Sequence, residues 1–221
     1  MTVAPSSDGN LSVALNGYPN GVRIVEVKSD DARWLADLAL HRSDLLQAEI
    51  ALQAIVDSPA LSGDVHLALW RSAIAQIFKC FGDSKSRSRL DSGSVLVGAS
   101  HGLIENFKYY KAQRNKHMIH DENPYSQVAV VAILNDGSHP NKLEDVKALT
   151  YRFTDLNPQA HFNLSSLLRW IQGWTEAEFN TVIERIRIAL EAKTMSELQA
   201  MPAPKHRTPT VQEASQRRQR N

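Results

Sequence analysis

Hydrophobic residues recur along most of the chain at the three- and four-residue spacing of an α-helix. The first such stretch carries a leucine at every seventh position: Leu38, Leu45 and Leu52. Ser29 provides an N-cap in front of it and Ser58-Pro59 ends it, which predicts one long amphipathic helix. A second stretch, from Ser62 to Phe81, has an apolar stripe made of Trp70, Ile74, Ile77, Phe78 and Phe81. The stripe predicts a second helix with one face in the core.

Further helices are predicted towards the C-terminus. A third covers Ser100 to Met118, and a fourth starts at Asn141 and stops at Asn157-Pro158. A fifth begins at Asn163 and is interrupted by Gly173. The capping box Thr175-x-x-Glu178 then opens a last helix that runs towards Leu190. The total is five or six amphipathic helices, each with one apolar face.

Two short segments have the pattern of β-strands. Val22–Val27 alternates apolar and polar residues, and Gln127–Leu134 is rich in β-branched residues and precedes an Asn135-Asp136-Gly137 turn. We expect these strands to pair and to pack on the helices as a small structural element. The predicted fold is mainly α, a helical bundle with a small β element. We expect the chain to divide into a flexible N-terminus (1–21), one helical domain (22–200) and a disordered basic tail (201–221).

Composition limits the class of protein. With 221 residues and 43% hydrophobic content, the chain can form one substantial globular domain. No apolar run is long enough to cross a bilayer, and the N-terminus lacks the pattern of a secretory signal. Cys80 is the single cysteine, which excludes an internal disulfide and a cysteine-based zinc site. We therefore expect a cytoplasmic protein without a metal, a cofactor or a membrane partner.

The charge is distributed unevenly, although the formal net charge is only +1. Between positions 108 and 120 the chain carries Lys108, Lys111, Arg114 and Lys116 and no acidic residue. The tail beyond Pro202 carries five basic residues against Glu213. Local positive patches of this kind bind polyanions, but a solvated helix face and a disordered tail would show the same pattern.

The segment RNKHMIH, residues 114–120, combines an anion-binding group with proton-transfer groups. The Arg114 guanidinium suits phosphate oxygens, and the His120 imidazole exchanges protons near neutral pH. Together they could cleave RNA without a metal. The histidine would remove the proton of a ribose 2′-hydroxyl, and the arginine would stabilise the negative charge on the oxygens of the pentavalent phosphorus. On a regular helix these residues lie on different faces, so the helix must end or deform between them, or the pair must meet across two subunits. A basic helix C-terminus is the alternative interpretation.

Arg114-Asn115, four residues and then His120, in a chain of long helices, resembles the Arg-x(4–6)-His motif of the HEPN superfamily. The resemblance covers residues 29–192 and is greatest to the abortive-infection and toxin-like prokaryotic branch. It implies an up-and-down helical bundle that acts as a metal-independent endoribonuclease. It also implies a homodimer, in which the motifs of both chains line one cleft, and a possible antitoxin partner.

The resemblance also implies roles for individual residues. Arg114 would stabilise the transition state, His120 would act as general base or acid, and Asn115 would orient the phosphate or the histidine. Basic and aromatic groups suited to RNA lie around them, at Lys108, Tyr109, Lys111, Lys116 and His117. Tyr125 lies five residues after His120, whereas the tyrosine that receives nucleotides in some toxin members lies two residues after the motif histidine.

Two other functions fit the same sequence. One is a catalytically inactive HEPN-like module that binds RNA or a nucleotide, and the other is a helical protein-interaction domain. Other enzyme classes have little support, because the chain contains no G-x-S-x-G, P-loop, G-x-G-x-x-G or H-E-x-x-H motif.

Overall fold

A computed structural model of the protein describes residues 2–5, 11–14, 24–60, 62–119, 126–138, 140–152, 156–204 and 210–216. In these residues the chain is mainly helical, as predicted, and has two antiparallel hairpins. The chain divides into two compact units. One unit comprises Met1–Leu40, Asp83–Arg89 and Thr175–Asn221, and the other comprises His41–Gly82 and Leu90–Trp174.

The regular elements follow one another in a simple order. The helices of the described residues are α1 (Asp30–Asp57), α2 (Gly63–Lys79), α3 (Ser92–Val95), α4 (His101–Ala112), α5 (Pro158–Glu191) and α6 (Met195–Ala200). A π-helix (Gln113–Ile119) continues α4, and a 3₁₀-helix (Val211–Ser215) lies near the C-terminus. The strands are β1 (Thr2–Pro5), β2 (Leu11–Ala14), β3 (Ser126–Leu134) and β4 (Leu143–Arg152).

The first two predicted helices are confirmed, and so is the predicted N-cap of the first. The Ser29 hydroxyl accepts a hydrogen bond from the Ala32 amide at 3.0 Å, and α1 ends at Asp57, next to the predicted stop. The Ser62 hydroxyl accepts from the Val65 amide at 3.4 Å in front of α2. Both serines satisfy amides that the first turn of a helix leaves without an intrahelical acceptor.

The larger unit, which contains α2 and α4, has an aromatic core. All five residues of the predicted α2 stripe are buried. The Trp70 ring meets the Tyr110 ring edge to face at 5.9 Å, and Phe81 meets Phe107 in the same way at 4.9 Å. Tyr110 also donates a hydrogen bond of 2.8 Å to the Ala160 carbonyl at the start of α5. These contacts fix α4 against α2 and α5.

The smaller unit is held by polar contacts between the beginning of α1 and the end of α5. The Trp34 indole donates to Glu178 at 3.0 Å, and the Arg185 guanidinium forms an ion pair with Asp31 at 2.9 Å. The buried carboxylate of Asp37 accepts a hydrogen bond from the Ser88 amide at 2.9 Å. Salt bridges of this exposed kind stabilise little individually, so the indole and amide hydrogen bonds matter more.

The helix predicted from Asn141 is wrong, because residues 143–152 form β4. This strand pairs antiparallel with β3, with Val128 opposite Thr150 and Val130 opposite Ala148. The predicted strand at 127–134 and its turn are confirmed, and Gly137 adopts a φ of 87° in that turn. The predicted pairing of this strand with Val22–Val27 is wrong, since the described part of that segment, from Ile24 onward, has no regular structure. The cross-strand hydrogen bonds of a hairpin outweigh the weak helical periodicity of the second segment.

The β3–β4 hairpin does not pack on the helices as expected. The described side chains of its two strands are exposed, with the partial exception of Val131. Val128 and Val130 are 67% and 73% exposed, respectively. The hairpin therefore presents apolar side chains to its surroundings, and the expectation of a packed structural element is wrong.

The last two predicted helices form one continuous helix, α5, and their predicted boundaries are wrong. Asn157 does not stop a helix but caps α5, because its side chain accepts a hydrogen bond from the Ala160 amide at 2.8 Å. Pro158 then occupies the first turn, where its missing N–H costs nothing. Gly173 lies inside the helix, and Thr175 is fully buried instead of capping a new one.

The two ends contain more regular structure than expected. The segment predicted to be a flexible N-terminus contains the paired strands β1 and β2. The basic tail contains the 3₁₀-helix, and the Pro202 carbonyl accepts a hydrogen bond of 2.7 Å from the Glu26 amide. None of the described helices combines the length and the apolar character needed to cross a membrane.

Candidate functional site

The predicted third helix changes its geometry at the candidate motif. It runs as an α-helix to Ala112 and continues as a π-helix over Gln113–Ile119, packed against α2. A π-helix forms hydrogen bonds between residues five apart, and such segments are rare and frequently lie at functional sites. A deformation of the helix, one of the alternatives by which Arg114 and His120 could converge, is therefore present over Gln113–Ile119.

Arg114 and Asn115 form a local hydrogen-bonded pair in the π-helix. Both are half-buried, and the Arg114 Nη1 donates to the Asn115 Oδ1 at 2.9 Å. Among the residues that the structure describes, no carboxylate pairs with Arg114. The hydrogen bond orients the guanidinium and leaves most of its five N–H donors for an anionic ligand.

Gln113, which sequence reasoning did not identify, supports this geometry from the buried side. Its side chain is only 6% exposed and donates to the Tyr109 hydroxyl at 3.2 Å. The Tyr109 ring in turn meets the Tyr110 ring at 5.1 Å. The spacing could have revealed Gln113, because it follows Tyr110 by three residues and therefore shares the core face of the helix.

The predicted RNA-binding residues are not equivalent. Lys108 is exposed but forms an ion pair with Glu105 at 2.8 Å, and its hydrogen bond and charge lower the pKa of that carboxyl. Lys111 is exposed, with its Nζ 5.7 Å from the centre of the Phe107 ring, and Lys116 is exposed as well. Tyr109 is half-buried. Lys111 and Lys116 therefore offer a phosphate more positive charge than Lys108 does.

Several predictions concern positions outside the described residues. His120 and residues 121–125 lie there, and so does the side chain of His117, whose backbone belongs to the π-helix. The convergence of Arg114 and His120 therefore stays a prediction.

Comparison with known proteins adds no homologue. No protein-family model matches the chain, no curated protein matches it in sequence, and no solved structure matches it. The roles of its residues therefore depend on their chemistry and geometry.

A second group of reactive side chains lies in the larger unit, away from the motif in sequence. His41, Asp44 and Cys80 are all buried, and one nitrogen, oxygen or sulfur atom of each lies within 4.8 Å of the others. Sequence reasoning missed this group. His41-x-x-Asp44 places two ligating side chains one helical turn apart, but nothing in the spacing connects them with Cys80.

Two other histidines line a shallow cleft of about 430 Å³ in the same unit, beside Ile55, Val56 and Leu156–Pro158. The ring Nε2 of His66 lies 3.0 Å from the Ser58 carbonyl, and that of His161 lies 3.1 Å from the Leu52 carbonyl. Since a carbonyl only accepts hydrogen bonds, both nitrogens are donors. These contacts explain the two imidazoles as structural links between α1, α2 and α5.

Proposed function

We propose that the protein is a metal-independent endoribonuclease of the toxin or antiviral-defence type. One observation carries the proposal, the half-buried Arg114 guanidinium that Asn115 orients inside a π-helix. A permanently charged, oriented donor suits the negative charge that develops on phosphate oxygens during cleavage. The resemblance of the motif to the HEPN superfamily supports the same function and an up-and-down HEPN-like bundle.

The proposed reaction uses the ribose 2′-hydroxyl as the nucleophile. His120 removes the proton of this hydroxyl, and its oxygen attacks the adjacent phosphorus. The Arg114 guanidinium binds the non-bridging oxygens, on which negative charge accumulates. The bond to the 5′-oxygen of the next nucleotide breaks, and that oxygen takes up a proton. The products are a 2′,3′-cyclic phosphate and a 5′-hydroxyl end.

The proposed active form is a homodimer in which each chain contributes an Arg114–His120 motif to one cleft. The β3–β4 hairpin supports association, because Val128, Val130 and Val146 lie on one face and are each more than half exposed. Lys111 and Lys116 would hold the RNA backbone beside the motif. An antitoxin that masks the cleft fits the same proposal.

The deciding experiment measures RNA cleavage by the full-length protein. Two labelled RNAs are compared: one is all-ribose, and the other has a single 2′-deoxy nucleotide at the main cleavage site. EDTA is added when the reaction starts. We expect EDTA to leave cleavage of the all-ribose RNA unchanged, and we expect the 2′-deoxy RNA not to be cleaved at that site. Arg114→Ala and His120→Ala should each lower the rate by on the order of 100-fold or more, as for groups that act directly on the transition state.

Two substitutions serve as matched controls. Arg169→Ala removes an exposed arginine from α5, and His101→Ala removes an exposed histidine from the start of α4. Both should cleave at the rate of the unchanged protein. Equal cleavage by the motif variants and these controls would disprove the assignment.

The alternative function is a binding module with the same surface. RNA binding that weakens with salt, in the absence of any cleavage, would favour it, because the affinity would then derive from phosphate contacts. A protein that neither binds nor cleaves RNA would favour a helical protein-interaction domain.

A further inference from the structure

His41, Asp44 and Cys80 form a buried cluster in which three different metal-ligating groups meet. His41 and Asp44 are one turn apart on α1, and Cys80 immediately follows α2 as its C-cap. Their exposed fractions are 0%, 9% and 0%, and their ligand atoms lie within 4.8 Å of one another. Burying polar and ionisable groups at this depth costs free energy, which bonds to suitable partners must offset.

We propose that these three side chains bind a zinc ion. Imidazole nitrogen, carboxylate oxygen and thiolate sulfur are the common zinc ligands, whereas calcium and magnesium prefer oxygen alone. Tetrahedral zinc bonds of about 2.0–2.3 Å place ligand atoms roughly 3.3–3.8 Å apart. The ligand atoms of the cluster lie within 4.8 Å of one another, so the three side chains would move closer together when the ion binds.

The charges of the cluster suit a divalent ion in a buried position. The Cys80 Sγ lies 3.6 Å from the Gln76 carbonyl and 3.9 Å from the His41 carbonyl. When the ion binds, the thiol releases its proton to solvent and the sulfur forms a bond to the metal. A thiolate, a carboxylate and a neutral imidazole then carry two negative charges, which the Zn²⁺ ion neutralises.

Two neighbouring residues bear on this arrangement. The Lys79 Nζ lies 2.8 Å from the Asp44 Oδ1, so its ammonium group would compete with the ion for that carboxylate. Gln76 lies one turn before Cys80 on α2, and its buried Oε1 accepts no hydrogen bond from the residues that the structure describes. That oxygen suits a hydrogen bond from a water molecule in the fourth coordination position. The ion would join the middle of α1 to the end of α2. Histidine and aspartate would then complete the zinc site that a single cysteine was expected to exclude.

The test uses the reduced full-length protein without RNA, so its outcome is independent of the proposed nuclease activity. The protein is freed of metal with a chelator and titrated with Co²⁺, whose bond to a thiolate gives a charge-transfer absorption band. We expect one equivalent of Co²⁺ to produce the band and Zn²⁺ to abolish it by displacement. One equivalent of Zn²⁺ should also raise the melting temperature, because the ion binds the folded state.

Substitutions assign the ligands. Cys80→Ser should remove the thiolate band, and Asp44→Asn should lower the zinc affinity by on the order of 100-fold. His101→Ala, which changes an exposed histidine outside the cluster, should leave both unchanged. Lys79→Met should strengthen zinc binding about tenfold, because the ammonium group no longer competes with the ion for Asp44.

The Lys79→Met variant keeps the test decisive if a substitution in the buried cluster prevents folding. Lys79 itself has a side chain that is 56% exposed, so its replacement should fold. A folded protein that gives no thiolate band with Co²⁺, or a folded Cys80→Ser variant that binds zinc as tightly as the unchanged protein, would overturn the proposal.

Discussion

At the scale of single residues, the environment of each side chain separates the candidates more sharply than its type. Arg114 and Asn115 are half-buried and bonded to each other, whereas Lys116, the next residue, is exposed. The residue types alone indicated an anion-binding segment. The hydrogen bond between these neighbouring side chains lies within the π-helix and could not be predicted from regular helical spacing.

Asn115→Ala tests the orienting role of the asparagine. We expect kcat for RNA cleavage to fall about tenfold with KM nearly unchanged, since one hydrogen bond to a charged group contributes about 1.5 kcal/mol. Single-turnover kinetics at saturating and limiting protein would measure both parameters. Lys116→Ala is the matched control and should weaken RNA binding without changing kcat. An Asn115→Ala variant with unchanged kcat would exclude the role.

At the scale of elements, the sequence identified helices well where the signal was local and poorly where it was not. Ser29, Ser62 and the apolar stripe of α2 each act within a few residues, and each prediction from them is confirmed. The region from Asn141 onward failed because β4 exists only through its pairing with β3. In α5, Gly173 was interpreted as a breaker, although its helical cost is small beside the packing of a long helix.

Replacement of two glycines by alanine tests the revised boundaries. Outside the neighbouring backbone of α5, no atom of the described residues lies within 4 Å of the position that a Gly173 Cβ would take. The backbone there is helical, so Gly173→Ala should stabilise the protein by about 0.5–1 kcal/mol. Gly137 has equal space but a φ of 87°, so Gly137→Ala should destabilise the hairpin by about 1–2 kcal/mol. Urea unfolding measures both. Destabilisation by Gly173→Ala would mean that α5 is interrupted there after all.

At the scale of the whole molecule, the hydrophobic spacing correctly predicted a mainly helical protein, but neither spacing nor composition showed how its contacts are distributed. The chain divides into two compact units that each contain separate stretches of sequence. Composition describes the average character of a chain, so it cannot show which distant segments form a unit. The near-zero net charge likewise does not show that many exposed carboxylates are paired locally.

The paired carboxylates predict how stability depends on pH. Hydrogen bonds from Lys108, Lys147 and Arg187 lower the pKa of Glu105, Asp145 and Glu184, respectively, and the Thr194 hydroxyl and amide lower that of Glu197. Because the folded pKa values are depressed, this stabilisation is present above the ordinary values of 3.8–4.5 and is lost as the pH falls through the lowered ones.

We therefore expect the free energy of unfolding to decrease as the solution is acidified below pH 4.5. Urea unfolding at a series of pH values would measure the decrease. Because these groups are exposed, added salt should reduce it. Glu197→Gln keeps the capping geometry but removes the titrating group, so it should make the dependence shallower. The proposed carboxylate contribution would be excluded if stability stayed constant or rose on acidification.

The sequence by itself determined the features that depend on neighbours within one or two helical turns: α1, α2, the path of the third helix, β3 and its turn, and the basic Arg114–Asn115 segment. The tertiary structure alone decided that residues 143–152 form a strand and that α5 passes through Gly173. It alone brought Cys80 to His41, 39 residues away in the chain. Local spacing sets which face of an element is apolar, but pairing and the gathering of polar groups depend on partners that are remote in sequence.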